Sequence, residues 1–234
     1  MSLQRARFRG DCSTDEFQEV LKRLKHDGCN LLVTGAVSED VTVKATRTLL
    51  GASNAERKRV VALADSRTET VRERLPPGVE SDDPNVWLID QDARQRSVPK
   101  AVESAAVTIP SADAGQSALG RLREEIIAAI DYFSDADGGL EPAELRLSVS
   151  SLARMAHEHD PDRVARFVRS VSAMVRGVHG MAHYHLPRPD DDGVVERLSP
   201  LFDARIELRK RDGLPTEQRW HVPEHDQTTE WVRL

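Results

Sequence analysis

The chain reads as an α/β protein: a three-layer α/β/α sandwich around a mainly parallel central sheet, closed by antiparallel edge strands at its C-terminus. Three observations predict this. Apolar runs of five or six residues recur, too short for helices and rich in branched side chains, as in strands buried on both faces. Amphipathic stretches of roughly 10 to 20 residues separate them, the length of right-handed crossovers between parallel strands. Beyond residue 204 the helical patterns stop and strand-like segments follow one another, which implies antiparallel pairing. A chain of 234 residues can bury one large core, so residues 1–234 read as a single domain with residues 1–14 as a flexible N-terminal segment.

The elements follow in order. Asp15 to His26 is amphipathic, with Phe17, Val20, Leu21 and Leu24 at three- and four-residue spacing, Ser13 or Thr14 as N-cap and Asp27-Gly28 as the stop. Cys29 to Thr34 is the first buried strand, and a helix from Thr42 to Leu50 closes at Gly51. Arg59 to Ala64 is a strand, Thr68 to Leu75 a short helix ended by Pro76-Pro77-Gly78, and Asn85 to Asp90 a third strand. Ala105 to Ile109 reads as a fourth strand ended by Pro110. Leu119 to Phe133 carries Leu119, Leu122, Ile126, Ile127, Ile130 and Phe133 on one helical stripe. Glu144 to Leu152 is a strand, and Asp160-Pro161 opens a helix that runs to Gly177. Gly180 to Leu186 is a strand, Val194 to Phe202 a short helix and Ala204 to Lys210 a strand. Gln218 to Val222 and Glu230 to Leu234 close the sheet.

Composition excludes several classes. Acidic residues exceed basic ones by 39 to 33, which argues against nonspecific nucleic-acid binding, where phosphate neutralisation supplies most of the affinity. The 21 Asp, with 27 Arg against 6 Lys, resemble the surfaces of salt-adapted proteins. No apolar run approaches the roughly 18 residues of a membrane span, and Met1 to Arg7 is too polar for an export signal, so the expected location is cytoplasmic. Cys12 and Cys29 lack C-x-x-C spacing, and no redox role is expected of them.

The most informative stretch is Gly35-Ala-Val-Ser38-Glu-Asp40-Val41-Thr42. Strand, loop and helix follow in the order of the phosphate-binding fingerprint G-x-x-x-x-G-K-[ST]. Gly35 and Thr42 occupy its first and last positions, whereas Asp40 stands at the second glycine and Val41 at the lysine. Backbone amides and a helix N-terminus remain to attract an anion, but the cation is gone and Glu39 and Asp40 place carboxylates where phosphates would lie.

Taken together, these segments resemble the RecA/KaiC branch of the phosphate-loop NTPases, and within it a divergent haloarchaeal group whose members are labelled transducer-like. The segments are Leu24 to Gly35 with Thr46 to Gly51, Leu145 to Leu152, Arg163 to Arg169, Gly180 to Leu186 and Leu201 to Leu208. They span the chain from about Phe17 onward. The resemblance implies a RecA-like sheet, with the strand Leu145–Leu152 ending where relatives carry a magnesium-ordering Asp; here that position is Ser150, or Ser151 if the register slips by one. Asp65 falls near the acid that would polarise an attacking water. Asp90 also ends an apolar strand, but its place in chain order suits an added or edge strand. The cofactor-binding candidates are therefore Gly35, Ser38, Asp40, Val41, Thr42, Asp65 and Ser150, with no catalytic residue and no resident metal expected.

Other clusters have simpler readings. His183 and His185 alternate on one strand and share a face, and His157 and His159 follow the Leu145–Leu152 strand, near the same strand ends of a parallel sheet; a four-histidine metal site is one reading and strand-end histidines without metal the other. Asp135, Asp137 and Gly138 echo a calcium loop without its twelfth-position Glu. Lys44 lies too far around its helix from Thr42 to replace the missing lysine. Trp220 and Trp231 either pack the sheet edge or mark a partner surface. The expected function is a non-catalytic pseudo-NTPase acting through a protein partner or as a homo-oligomer, in signalling or regulation, without cofactor, nucleic acid or membrane. The alternative is a nucleotide-binding protein or weak ATPase that uses ATP and magnesium at Gly35–Thr42.

Overall fold

The computed structural model describes residues 14–63, 72–90, 117–136, 138–150, 152–225 and 227–234. It has the expected architecture. The helices are α1 Thr14–Asp27, α2 Glu39–Leu49, α3 Ala118–Ala136, α4 Leu152–Glu158, α5 Pro161–Gly177 and α6 Gly193–Leu198. The strands are β1 Cys29–Thr34, β2 Lys58–Leu63, β3 Val86–Asp90, β4 Leu145–Val149, β5 Met181–His185, β6 Ala204–Arg209, β7 Glu217–Val222, β8 Gln227–Thr228 and β9 Val232–Arg233. They form one sheet in the order β3-β2-β4-β5-β1-β6-β7-β8, with β9 also on β7. Every pair from β3 to β6 is parallel and every pair involving β7 is antiparallel.

Side-chain alternation sorts the core into two layers. Leu32, Leu147 and Tyr184 point to the face covered by α3, α4, α5 and α6. Leu31 and Val33 point to the other, where α1 and α2 pack with Phe17, Val41 and Ala45. The central strands β1, β4 and β5 are buried along their whole length, as strands covered on both faces must be. Beyond β1 the pattern changes to strict alternation in β6 and β7, where one face of the sheet is only partly covered. Trp220 packs edge-on against Phe17 of α1 with ring centroids 5.8 Å apart, so this tryptophan is part of the core. The guanidiniums of Arg209 and Arg219 lie over the Trp231 ring, 3.8 and 4.7 Å from its centre.

Several boundaries differ from expectation. α2 begins at Glu39 instead of Thr42, because Ser38 is a natural N-cap position and Glu39 and Asp40 suit the positive end of the helix dipole. β4 stops at Val149; the chain then forms α4, which buries Leu152 and Met155 one helical turn apart. α6 starts at Gly193, capped by the Asp192 side chain accepting from the Val194 amide at 2.8 Å, and gives way at Ser199-Pro200 to a 3-10 turn. The last segment is shorter than expected, and β8 is an additional strand on β7. The helix expected at Thr68–Leu75 lies partly outside the described residues, with residues 72–74 helical; the strand expected at Ala105–Ile109 lies wholly outside them. Among the described residues, β3, which ends at Asp90, is the edge strand of the parallel side, the place expected of Asp90.

Candidate functional site

The loop between β1 and α2 contains only residues 35–38, four residues in which to turn the chain. Gly35 has φ +117°, and a Cβ there would stand 2.1 Å from the Leu208 carbonyl oxygen of β6, so no other residue fits. Its amide donates to the Arg188 carbonyl at 2.8 Å, the Val37 amide donates to the Gly35 carbonyl at 2.9 Å, and the Val41 and Thr42 amides both donate to the Ser38 carbonyl. A phosphate cradle needs successive amides turned inward. Here those four are committed to carbonyls of the chain itself.

The side chains agree with the backbone. Val41, at the lysine position of the fingerprint, is 1% exposed and packed in the α1–α2 core. Thr42 is turned back on its helix, its hydroxyl donating to the Ser38 carbonyl at 3.4 Å. Ser38 and Asp40 are exposed, and the Ser38 hydroxyl holds the Asp40 carboxyl below the usual carboxylate range. Arg74 brings a buried guanidinium to the first turn of α2, but it donates to Glu39 at 2.9 Å and is neutralised by the loop's own acid. Lys44 is exposed, as its helical position predicts.

Ser150 lies just past β4, which β5 separates from β1, so two strand spacings, about 10 Å, divide it from the loop's strand. Its amide and its hydroxyl both donate to the Ala62 carbonyl, at 3.0 and 3.1 Å, which ties the side chain to the sheet. Asp65 and Ser151 lie outside the described residues. The structure thus brings Gly35, Ser38, Asp40, Val41 and Thr42 together and sets Ser150 apart from them.

Beneath α2 runs a buried polar seam that sequence reasoning recognised only in part. His183 and His185 are each 2% exposed, with ring centroids 5.2 Å apart. Burial pushes the His185 pKa down to about 3 and that of His183 well below its ordinary value, so both rings are neutral. His185 Nε2 lies 2.9 Å from the Thr46 hydroxyl, which donates its single proton to the Thr42 carbonyl at 3.0 Å. His185 Nε2 must therefore carry the proton and donate. The four-histidine site is not formed: His183 and His185 face α2, whereas His157 and His159 belong to the α4–α5 layer on the opposite face. Near His183, Ser148 Oγ, His183 Nε2 and two nitrogens of Arg74 are buried without a hydrogen-bond partner among the described residues.

Two more arginines hold the other end of α2. Arg59 donates to the carbonyls of Leu50, Arg57 and Ala52, and Arg146 to those of Ala143 and Leu49. They satisfy the orphan carbonyls at a helix C-terminus and place cations at its negative pole. Burial lowers the Arg146 pKa to about 10. The available signal was an arginine inside an apolar strand run, as in Arg59-Val-Val-Ala-Leu and Leu145-Arg-Leu.

A third polar group was missed entirely because its members lie far apart in sequence. Asp190, Glu207 and His221 offer ligand atoms within 4.8 Å of one another, a donor set suited to a divalent metal. Each carboxylate is already bonded to a cation, however: Asp190 to Arg205 at 2.8 Å, Glu207 to Arg219. Against burial, which raises it, hydrogen bonds from His221 and Arg219 keep the Glu207 pKa low. Two carboxylates and two guanidiniums balance, so the cluster is a closed ion-pair network that a dication would have to break.

No curated protein matches the chain. A family model described as a family of unknown function, DUF7504, matches residues 28–208, from the turn after α1 through almost all of β6, and so covers the whole parallel part of the sheet. The chain belongs to that family.

Proposed function

We propose that this protein is a RecA/KaiC-like pseudo-NTPase: a non-catalytic regulatory or signalling module that works in the cytoplasm through a protein partner or copies of itself. The observation that carries this reading is the β1–α2 loop. The loop amides of Gly35 and Val37 are spent on the carbonyls of Arg188 and Gly35, those of Val41 and Thr42 in the first turn of α2 on the Ser38 carbonyl, the lysine position is a core valine, and the helix opens with two carboxylates. A micromolar nucleotide is held by about 8 kcal/mol. Loss of one partner of a buried charge pair removes roughly 2–5 kcal/mol. The missing lysine alone therefore moves affinity toward millimolar, before repulsion by Glu39 and Asp40 is counted.

The strand arrangement supports the RecA-like part of the reading. β1 and β4 are parallel with their C-terminal ends on one edge, the edge where open α/β sheets bind ligands, and Ser150 ends the strand expected to carry the magnesium acid. A serine there is a poor ligand for a hard dication. Among the described residues, Leu214 is the large apolar side chain left exposed, so contacts made by this surface are mainly polar.

Calorimetry of the full chain with magnesium-ATP tests the proposal. The expected result is no binding tighter than about 1 mM. Binding tighter than about 100 μM, on the order of 5.5 kcal/mol, that disappears in Thr42→Ala would replace it with the nucleotide-binding alternative. Sedimentation across a hundredfold concentration range then separates self-association from dependence on another protein.

A further inference from the structure

On the face of the sheet opposite α2, the opening turns of α3 and α5 line a solvent-open cavity of about 500 Å³. That is the size of a small-molecule site. Its apolar floor is Leu119 and Phe167, both buried. Its walls carry Arg123, Arg163 and Arg166, together with His159. Among the described residues, no carboxylate lines it.

Three guanidiniums around one cavity repel one another unless an anion joins them. Among the described residues, Arg163 and Arg166 have no carboxylate partner; Arg166 Nε donates to the Asp162 carbonyl at 3.3 Å, which orients its fork and leaves the terminal nitrogens available. Arg123 stands 3.8 Å from Glu124 through one terminal nitrogen, while its Nε is buried with no acceptor among the described residues. A buried N–H with no acceptor is rare in a folded protein and points to something that supplies one. At the cavity's edge the Ser117 hydroxyl oxygen accepts from the Gly120 amide at 3.2 Å, which leaves its own proton to donate.

We propose that this cavity binds a phosphate-bearing small molecule, its dianionic head held by Arg123, Arg163 and Arg166 and its apolar or aromatic body resting on Leu119 and Phe167. The guanidinium fork matches two phosphate oxygens at once, which a single lysine does not do. The apolar floor gives a ligand with an apolar body contacts that inorganic phosphate lacks. A long polyanion such as nucleic acid is disfavoured because Asp160 and Asp162 at the start of α5 and Glu124 and Glu125 on α3 interrupt the basic surface within three residues of the arginines. The proposal is independent of the β1–α2 loop, which lies across the sheet.

The test is calorimetry of the full chain at low ionic strength with phenyl phosphate, inorganic phosphate and a phosphotyrosine peptide as probes. Phenyl phosphate is expected to bind at least about tenfold tighter than inorganic phosphate, and Arg163→Ala/Arg166→Ala to weaken it about tenfold or more, as loss of charge-assisted hydrogen bonds demands. Both arginines are exposed, so the variant should unfold at the same temperature as the parent. Thr42→Ala should leave phenyl phosphate binding unchanged; loss there instead would place the anion in the β1–α2 loop and overturn both readings. No saturable binding to about 10 mM, a weaker interaction than about 3 kcal/mol, or binding indifferent to the double substitution, would overturn the cavity assignment alone. A peptide that binds tenfold tighter than phenyl phosphate would reassign the cavity to a protein partner and overturn the small-molecule ligand.

Discussion

The two neutral histidines beneath α2 make stability depend on pH in a defined window. Both have a folded pKa below the unfolded value near 6.5, His185 at about 3 and His183 well below its ordinary value. Below pH 6.5 the unfolded chain binds protons that the folded chain refuses, so stability is intact above that pH and is lost as pH falls toward the folded values. At pH 5.5 the His185 ring costs about 1 kcal/mol, and His183 adds to the loss in the same direction. Asp40, Asp192, Glu207 and Glu217, whose folded pKa values are also depressed, act only at lower pH, where carboxylates of the unfolded chain begin to protonate. Equilibrium urea unfolding at pH 7.5, 6.5 and 5.5 reads the effect directly. The control is His183→Phe/His185→Gln, which removes both titrations and keeps a donor for the Thr46 hydroxyl. A fall in stability of less than about 1 kcal/mol between pH 7.5 and 5.5, or an equal fall in the control, would mean that the rings are reached by water and the seam is not dry.

Two substitutions in the loop probe its closure. Gly35→Ala forces a Cβ against the Leu208 carbonyl at a backbone angle favourable only to glycine, and is expected to cost about 2–5 kcal/mol, read as a lower urea midpoint. Val41→Lys restores the fingerprint in sequence but puts an ammonium into the α1–α2 core; it should destabilise the protein by about 2–4 kcal/mol without creating affinity for magnesium-ATP, and tight nucleotide binding by a stable variant would contradict the packing described for Val41.

Much of the fold was legible because the relevant signals are local. The stripe Leu119, Leu122, Ile126, Ile130 and Phe133 specifies α3 wherever it packs, and Asp160-Pro161 specifies the start of α5, where the Asp160 side chain accepts from the Asp162 amide at 2.9 Å. The errors also have local causes. Reading Gly35–Thr42 as a phosphate loop delayed α2 by three residues, although Ser38 followed by two acids is itself a helix-start signal. Ser150 hid the end of β4 because the apolar pattern resumes at Leu152, in α4. The candidate loop was found in sequence; its closed state was not, since Arg188 and Leu208, whose carbonyls occupy it, lie more than 150 residues away.

By itself the sequence determined the layer architecture, the parallel core with its antiparallel end and the missing cation at position 41, because period, capping and motif identity depend on neighbours along the chain. The tertiary structure alone decided which face each polar residue shares. It placed His183 and His185 under α2 and away from His157 and His159, closed Asp190, Glu207 and His221 into an ion-pair network, and gathered Arg123, Arg163 and Arg166 around one cavity. Such groupings follow from strand order and helix placement, and residues that meet through them carry no mark of each other in the linear chain.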